Sequence, residues 1–291
     1  MKRLRRTMMY VPGNNPGMVQ NAGIYGADSI IFDLEDAVAL AEKDGARYLV
    51  KYALMTIDCG RSEKVVRING LDTPFCREDL EEIIPCLPDA LRIPKIEYKE
   101  QVMEIDRMVS EIERKHGIAE GTVKLMPIME TALGVVNAFS IASSSKRIAA
   151  ISIGGEDFTA DLGIKRTKEG DELNYSRSQI VVAARAAGVD PIDTVFSDVN
   201  DEEGLRKSAK KIKDMGFLGQ SVINPRQIIP IHEVFTPSDD EIEKARRIIH
   251  AMEEAEEHGA GVVSLDGKMI DAPVLKRAEQ TIAYAKAVGK I

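Results

Sequence analysis

The stretches VKLMPIME (residues 123–130) and RIAAISIGGED (residues 147–157) decide the fold of this chain. Each is a short apolar run that ends in acidic residues, Glu130 in the first and Glu156 with Asp157 in the second. Short, continuous apolar runs of this kind are typical of buried strands in a parallel sheet. Neighbouring parallel strands lie about 4.8 Å apart and end on the same side of the sheet. The pattern therefore predicts that carboxylates from the two stretches share one small mouth.

Eight such runs alternate with amphipathic stretches, which is the pattern of a parallel α/β sheet. Helices are predicted at 102–117 and 175–188, and Pro225 opens another. This alternation predicts a (β/α)8 TIM barrel. The alternative is a doubly wound sheet, which usually has a Gly-rich phosphate loop after its first strand, whereas this chain has PGNNPG there. The predicted strands are TMMYV (7–11), SIIFD (29–33), KVVRI (64–68), ALRIP (90–94), VKLMPIM (123–129), AAISI (149–153), DTVFS (193–197) and QSVI (220–223).

The alternation stops after residue 235. A charged helix is predicted from Ser238 to about His258, followed by a hairpin at Asp266-Gly267 and a last helix that starts at Pro273. Asp-Gly between alternating residues is a strong hairpin signal, and Pro is favoured in the first helical turn. Extensions of this kind commonly form lids or oligomer contacts. The predicted domains are a barrel at 1–235 and a C-terminal helix-hairpin-helix lid extension at 236–291.

Length and composition indicate a globular protein of the cytoplasm. The chain has 291 residues, of which 44% are hydrophobic and 30% charged, values that are usual for soluble domains. A net charge of −8 and the absence of Trp argue against nucleic-acid binding. No apolar run approaches the ~20 residues of a membrane span, and MMYVP after the basic MKRLRR is too short for a signal peptide. Three separated cysteines without C-x-x-C spacing fit reduced, buried thiols.

Charged residues recur at the predicted carboxyl ends of five successive strands, which is where barrel enzymes carry their active sites. Charged side chains are rare in apolar strands unless they are paired, so their convergence predicts a functional site. Carboxylates with open positions suit Mg²⁺, which keeps several waters for a substrate to replace, and Arg67 would clamp a substrate carboxylate through two hydrogen bonds. The charged residues are Asp33, Glu35 and Asp36 after the second strand, Arg67 on the third, Lys95 after the fourth, Glu130 after the fifth, and Glu156 and Asp157 after the sixth.

Each of these residues also has a purely structural interpretation, which the sequence leaves open. The acids after the second, fifth and sixth strands could cap the helices that follow them. Arg67 and Lys95 could form ion pairs with those acids. The histidines lie in helical patterns without H-x-x-x-H spacing, and no nucleophile elbow, Walker loop or Cys–His pair is present.

Several long segments resemble the citrate lyase beta subunits, within the wider family of acyl-CoA lyases and dicarboxylate aldolases. The resemblance covers essentially the whole chain. It implies a Mg²⁺-dependent barrel that cleaves a citryl thioester, carried on an acyl carrier protein or on coenzyme A, into oxaloacetate and an acetyl thioester. The segments are RRTMMYVPGNN, ADSIIFDLEDAVALAEKDGAR, VVRINGLDT, LRIPK, IMETALGV, GGEDFTADLG, FSDVNDEEG, LGQSVINPRQI and VSLDGKMIDAPV.

The resemblance also implies roles for individual residues at the mouth. Glu130 and Asp157 would bind Mg²⁺, and Glu130 would also contact substrate. Arg67 would bind the oxaloacetate portion. Glu35 and Asp36 would hold metal-bound waters from outside the ligand shell.

The remaining implications concern partners. Asp271, in the GKMID stretch, would act as the acid/base in the site of a neighbouring subunit, which implies a homo-oligomer such as a trimer or its multiple; alternatively, Asp271 caps the helix at Pro273. The other partners would be the acyl carrier protein and acyl transferase subunits of a citrate lyase complex. An acidic carrier would need a basic patch, unless the basic N-terminus is simply solvated. Near the carrier we expect Pro12, Gly13 and Asn14 with Arg6, and the patch would consist of Lys2, Arg3, Arg5 and Arg6.

Three other functions would use the same residues differently. A stand-alone lyase for malyl-, methylmalyl- or citramalyl-CoA would have the same metal ligands, and only the segments FSDVNDEEG and ADSIIFDLEDAVALAEKDGAR favour the citrate lyase subunits. A class II aldolase acting on free pyruvate and aldehydes would need no thioester. A non-catalytic assembly subunit would need neither metal-binding carboxylate.

Overall fold

The structure, a computed structural model, describes residues 3–257, 259 and 261–291. Within residues 7–222, all of which are described, eight parallel strands pair in sequence order. The sheet closes because the first strand pairs with the last, with Met8 opposite Ser221. The predicted (β/α)8 barrel is confirmed, and a doubly wound sheet, which has open edges, is excluded. The strands are β1 (Thr7–Pro12), β2 (Ser29–Asp33), β3 (Glu63–Arg67), β4 (Ala90–Ile93), β5 (Lys124–Met129), β6 (Ala150–Ile153), β7 (Asp190–Asp193) and β8 (Gly219–Val222).

One predicted strand is misplaced along the sequence. β7 comprises Asp190–Asp193 rather than residues 193–197. Pro191 has no N–H group and so disfavoured the correct segment as a strand, but its carbonyl oxygen still accepts a hydrogen bond of 3.1 Å from the N–H of Leu218. The other seven predictions agree with the structure to within one residue at either end.

Helices connect the strands and bury apolar stripes. In the helix at Lys99–Lys115, the buried residues Val102, Ile105, Val109 and Ile112 recur every three or four positions, as an amphipathic helix requires. The helices predicted at 102–117 and 175–188 are both confirmed. The second is followed by Gly188, whose φ of 75° is left-handed. The helices are α1 (Pro16–Gln20), α2 (Lys43–Thr56), α3 (Phe75–Ile83), α4 (Lys99–Lys115), α5 (Ala132–Val136), α6 (Ala138–Ala142), α7 (Gly155–Asp161), α8 (Asn174–Ala187), α9 (Glu202–Met215) and α10 (Ile228–Phe235).

The barrel interior is a packed apolar layer below the carboxyl ends of the strands. Every strand except β8 contributes one residue to this layer, and none is more than 1% exposed. Side chains of this kind fill TIM barrels rather than leaving a pore. The residues are Met8, Ile31, Val65, Ala90, Met126, Ala150 and Ile192.

The opposite, amino-terminal end of the barrel is closed by Arg5. Its guanidinium donates to Glu63 at 2.7 and 2.8 Å and to Asp190 at 2.7 Å, and the residue is only 9% exposed. Arg6 pairs with Asp28 at 2.8 Å. The predicted basic patch is therefore wrong at these two arginines, because both are neutralised within the fold; Lys2 lies outside the described residues.

Two compact units divide the chain, one containing Arg5–His232 and the other Glu233–Ile291. The predicted boundary after residue 235 lies three residues beyond this division, at the end of α10. The second unit has the predicted helix-hairpin-helix order, although the predicted helix end at His258 lies outside the described residues. Its elements are α11 (Asp239–Glu257), β9 (Val263–Leu265), β10 (Lys268–Ile270) and α12 (Ala272–Ala287).

Local signals explain the second unit. Asp266 (φ 52°) and Gly267 (φ 72°) are both left-handed, as a two-residue hairpin turn requires. Ser238 and Glu241 form a reciprocal capping box, with hydrogen bonds of 3.1 and 2.8 Å, that starts α11. Among the described residues, no helix combines the length and apolar character needed to cross a membrane.

We predict that His232 makes the barrel unit sensitive to acid. Its Nε2 lies 2.8 Å from Thr7 Oγ1; burial and the charge of Arg6 lower the pKa of His232 to about 4, although Asp28 opposes this. The unfolded chain binds this proton near pH 6.5 and the folded chain only near pH 4, so stability is lost as pH falls between these values. The expected loss is about 3 kcal/mol.

The measurement is urea denaturation at pH 7 and pH 4.5. We expect His232→Gln, which cannot titrate, to show a smaller loss of stability than the unchanged protein over this interval. His250→Gln is the matched control, because His250 is 71% exposed on α11. Equal losses in the His232→Gln variant and the unchanged protein would contradict the assignment.

Candidate active site

A cavity of about 440 Å³ opens at the carboxyl ends of the barrel strands. This is the rim on which the sequence placed the charged residues. Six of them line the cavity together with Pro12. They are Asp33, Asp36, Arg67, Glu130, Glu156 and Asp157.

Glu130 is one of two acids of this cavity that are almost fully buried, the other being Asp33. Glu130 is 2% exposed, and its Oε2 atom has no hydrogen-bond partner among the described residues. Burial raises the pKa of Glu130 well above its usual value, and the nearby Asp157 carboxylate raises it further. Glu130 does not cap the next helix, because Thr131 occupies the N-cap of α5 and accepts a hydrogen bond of 3.1 Å from the Gly134 N–H.

Gly154 provides the space in which the Glu130 side chain lies. A Cβ atom at position 154 would stand 2.5 Å from Cγ of Glu130, well inside van der Waals contact. Gly154 follows β6 directly and is the N-cap of α7. The end of β6 is therefore shaped to admit the carboxylate that follows β5.

Asp157 lies in the first turn of α7 and is exposed. The N-cap position belongs to Gly154, so the capping interpretation of Asp157 does not hold. A negative charge in the first helical turn is favourable because the helix dipole is positive there. Asp157 therefore lies near Glu130, and its carboxylate is not the N-cap of α7.

The two carboxylates fit a magnesium ion. Glu130 contributes a buried oxygen without a partner, and buried polar atoms without partners are rare unless something else binds them. Among the described residues, no group of three or more His, Cys, Asp or Glu side chains is arranged to hold a metal. Mg²⁺ commonly takes one or two carboxylates and fills its other positions with water and substrate, which matches this pair.

Arg67 forms ion pairs with the acids at the end of β2 and directly after it. Its Nε and Nη2 donate to both oxygens of Asp33 at 2.7 and 2.6 Å, and Nη1 lies 2.8 Å from Glu35 and 3.3 Å from Asp36. The bidentate partner is therefore Asp33, and the ion-pair interpretation is confirmed for Arg67. Asp33 also accepts hydrogen bonds from the N–H groups of Glu35 and Ala37, so it caps the turn after β2.

Glu35, Asp36 and Lys95 form one charged cluster on this rim. Lys95 donates to Glu35 at 2.8 Å, and this bond raises the pKa of the Lys95 ammonium. Burial raises the pKa of Glu35, whereas the pKa of Asp36 is lowered, because Glu35, Arg67 and Lys95 outweigh its own burial. Lys95 has a φ of 55°, a left-handed conformation that is unusual for a residue other than Gly and that often marks functional loops.

The PGN loop packs against the end of β2. Pro12 lines the cavity, and the N–H of Gly13 donates to the Asp33 carbonyl at 2.8 Å, so close that a Cβ at Gly13 would clash. Asn14 donates to Glu42 at 2.5 Å. Arg6 is not part of this group, because it precedes β1 while the loop follows it, and six residues of strand (Thr7–Pro12) span about 20 Å.

Sequence reasoning missed Tyr10 and Arg92, which also line the cavity. The Tyr10 ring lies under two guanidinium groups, with centroid distances of 4.8 Å to Arg67 and 5.5 Å to Arg92. An arginine inside the apolar run ALRIP was the available signal, since charged residues in buried strands need a reason.

Asp271 belongs to the second unit. Its carboxylate accepts a hydrogen bond of 3.1 Å from the Val274 N–H and caps α12, so the capping interpretation is confirmed. A cap uses one oxygen of the carboxylate, and the proton-transfer role of Asp271 stays a prediction.

Comparison with known proteins assigns the chain to a family. The profile of the HpcH/HpaI aldolase/citrate lyase family matches residues 6–225. The citrate lyase subunit beta of Leuconostoc mesenteroides subsp. cremoris is 50% identical over 286 residues, covering 98% of this chain and 95% of the relative. The mitochondrial citramalyl-CoA lyase of Homo sapiens is 34% identical over an alignment that covers 98% of this chain and 86% of the relative.

A solved structure gives the same result. CitE of Mycobacterium tuberculosis, crystallised with magnesium, acetoacetate and coenzyme A, superposes with a TM-score of 0.80 at 30% identity, covering 98% of this chain and all of that one. Fold, profile and full-length relatives agree. The chain therefore belongs to the HpcH/HpaI aldolase/citrate lyase family.

Proposed function

We propose that this carbon–carbon lyase cleaves a citryl thioester into oxaloacetate and an acetyl thioester with Mg²⁺ as cofactor, as the beta subunit of a citrate lyase. The observation that carries the proposal is the Glu130–Asp157 pair, in which one buried oxygen has no partner, inside a cavity that also contains Arg67. The relative at 50% identity over nearly the full length is a citrate lyase subunit beta.

Each residue of the rim has a defined task in this proposal. Glu130 and Asp157 would hold Mg²⁺, and Glu130 would also contact substrate. When bound, the ion would polarise substrate oxygens as a Lewis acid. Arg67 would offer Nη1 to a substrate carboxylate in place of Asp36, whose contact is the longest of its set at 3.3 Å and whose side chain is 54% exposed.

Glu35, Asp36 and Lys95 would act around the ligands rather than as ligands. Glu35 accepts from both Arg67 and Lys95, so its carboxylate has a fixed orientation next to Glu130. Residues in this position hold metal-bound waters and orient the ligands.

The proposed reaction requires that the substrate lose one proton, from its hydroxyl group, and gain one, on a carbon atom. The hydroxyl of the citryl group gives its proton to a carboxylate that acts as base, the C–C bond breaks to give the oxaloacetate carbonyl, and the bonding electrons remain on the thioester as an enolate. A carboxylic acid then protonates the enolate carbon. We assign this step to Asp271 of a neighbouring subunit, which requires a homo-oligomer such as a trimer or its multiple.

The partners follow from the same proposal. An acyl carrier protein subunit would present the thioester near Pro12, Gly13 and Asn14, an acyl transferase subunit would complete the complex, and coenzyme A would substitute for the carrier. The CitE relative was crystallised with coenzyme A. A cytoplasmic location is supported by three cysteines that are all free, Cys59, Cys76 and Cys86.

A second candidate is a stand-alone citramalyl- or malyl-CoA lyase with the same metal site. The observation that favours it is the 34% identity to a citramalyl-CoA lyase over nearly the full chain. This candidate would need no carrier protein.

The direct test is turnover of citryl-, citramalyl- and malyl-CoA by the isolated chain. We expect citryl-CoA to be cleaved fastest. Activity should vanish with a chelator and return with Mg²⁺, because the proposed reaction needs a cation that the carboxylates of Glu130 and Asp157 cannot replace. Formation of oxaloacetate is the readout. Fast turnover of a malyl or citramalyl thioester alone would replace the proposal with the second candidate.

We predict that Glu130→Gln and Asp157→Asn abolish Mg²⁺ binding and turnover while preserving the fold. Loss of a ligand should cost more than the ~10–100-fold that removal of an outer partner costs. Thermal stability should not fall, because each change removes repulsion between two acids. Mg²⁺ binding by calorimetry and circular dichroism are the measurements.

The matched control is Glu156→Gln, because Glu156 is adjacent, 57% exposed and paired with Arg166 at 3.6 Å. It should keep both Mg²⁺ binding and activity. Unchanged function of an assembled complex that contains either Glu130→Gln or Asp157→Asn would instead support a non-catalytic assembly subunit.

We predict that Asp271→Asn reduces turnover by about 10²–10⁴-fold, the usual contribution of a positioned proton donor. Asn still accepts the cap hydrogen bond from Val274, so the unfolding temperature should be unchanged. Asp266→Asn, on the exposed hairpin turn, is the control. Mixing Asp271→Asn with Glu130→Gln should restore part of the activity if Asp271 acts in trans, and no recovery would exclude that arrangement.

A further inference from the structure

Arg92 is a buried arginine on the inner face of the barrel without an acidic partner. It is 2% exposed and lines the same cavity as Glu130 and Asp157. Its Nη2 donates to Ser221 Oγ at 3.1 Å and its Nη1 to the Met8 sulfur at 3.5 Å, while Nε is buried with no partner. In the part of the chain that the structure describes, Arg92 forms no ion pair with an Asp or Glu.

The other buried arginines of the described residues are all neutralised by carboxylates. An unpaired buried charge is strongly unfavourable, so these pairs are expected and Arg92 is the exception. The exception is explained if an anion from outside the chain completes the site. The neutralised arginines are Arg5 with Glu63 and Asp190, Arg47 with Asp44 and Asp79, Arg147 with Asp106 and Glu113, and Arg177 with Asp193.

Arg92 and Arg67 are register neighbours on β4 and β3, and both lie over the Tyr10 ring. Paired residues of parallel strands point to the same face, so both side chains enter the barrel at one level. Arg67 donates to Asp33 with two nitrogens and contacts Glu35 with the third. Arg92 is therefore the arginine of the pair that no carboxylate of the described residues neutralises, and it has the larger unused capacity for an anion.

We propose that Arg92 binds the distal carboxylate of the oxo-acid portion of the substrate and thereby selects citryl over citramalyl thioesters. The inference rests on the proposed lyase function of the same cavity. Cleavage of a citryl thioester releases oxaloacetate, and cleavage of a citramalyl thioester releases pyruvate. The two portions share the α-oxygen and its adjacent carboxylate, and they differ in that one carries CH₂–COO⁻ where the other carries CH₃. A guanidinium fork that no internal carboxylate neutralises distinguishes these groups.

The test compares malate with lactate, two stable hydroxy acids that differ by the same carboxymethyl and methyl groups. Calorimetry with Mg²⁺ should show that the unchanged protein prefers malate. Arg92→Met should weaken malate binding by about tenfold or more and leave lactate binding unchanged. Because Met removes an unpaired buried charge at similar volume, the unfolding temperature should be kept or raised.

Two further variants make the result specific. Arg92→Lys keeps a cation in the barrel but lacks the planar fork, so its preference for malate should be intermediate; it also provides the comparison if Arg92→Met does not fold. Arg107→Met removes an exposed arginine, 62% accessible and paired with Glu111, and should change neither affinity.

Equal weakening of malate and lactate would overturn the inference, since it indicates a structural role, and so would an unchanged preference for malate. Turnover separates this inference from the proposed function. If citryl-CoA is cleaved but Arg92→Met retains the citryl to citramalyl ratio, the inference fails and the lyase stands. If no citryl-CoA is cleaved but Arg92→Met abolishes the preference for malate, the carboxylate site stands and the proposed reaction fails.

Discussion

Closure of the sheet between β1 and β8 is the constraint on which the rest of the molecule depends. Because every strand runs the same way, closure leaves one rim that consists only of carboxyl ends, and the acids that follow β2, β5 and β6 must share it. Arg67 and Lys95 offset the acids after β2, whereas Glu130 keeps a buried oxygen without a partner. An acidic group is thus left without a compensating cation of the chain on one side of the cavity, which is the physical reason for proposing a metal ion there.

The two ends of the barrel use charge in different ways. At the amino-terminal end, Arg5, Glu63 and Asp190 satisfy one another within the fold, so nothing remains for a ligand. At the carboxyl end the pairing of charges is incomplete, because Glu130 Oε2 and Arg92 Nε are buried without a partner among the described residues. Buried groups without partners cost stability. Glu130 and Arg92 therefore distinguish the carboxyl rim, where charged groups remain available to a ligand, from the amino-terminal end, where Arg5, Glu63 and Asp190 pair within the fold.

Much of this could be read from the sequence, and the reasons for the rest are physical. Apolar runs bounded by turns predicted seven strands. Pro191 obscured β7, because a proline is disfavoured in strands for its missing N–H group, yet its carbonyl oxygen still accepts a hydrogen bond from Leu218, which directly precedes β8. The rim acids were identified by their position after strands. Which acid pairs with Arg67 depended on side-chain packing, and the missed Arg92 shows that a charge in mid-strand deserves the same scrutiny as one at a strand end.

The bare backbone at Gly154 couples two positions that are 24 residues apart in the sequence. Any side chain at 154 would occupy the volume of the Glu130 stem, so a methyl group gained there must be matched by a methylene lost at 130. A double variant with Gly154→Ala and Glu130→Asp would fill a similar volume. Its shorter acid would lie closer to β5 and farther from Asp157. Steric exchange between these two positions would therefore change the separation of the carboxylates in the proposed metal site without altering the strands beneath.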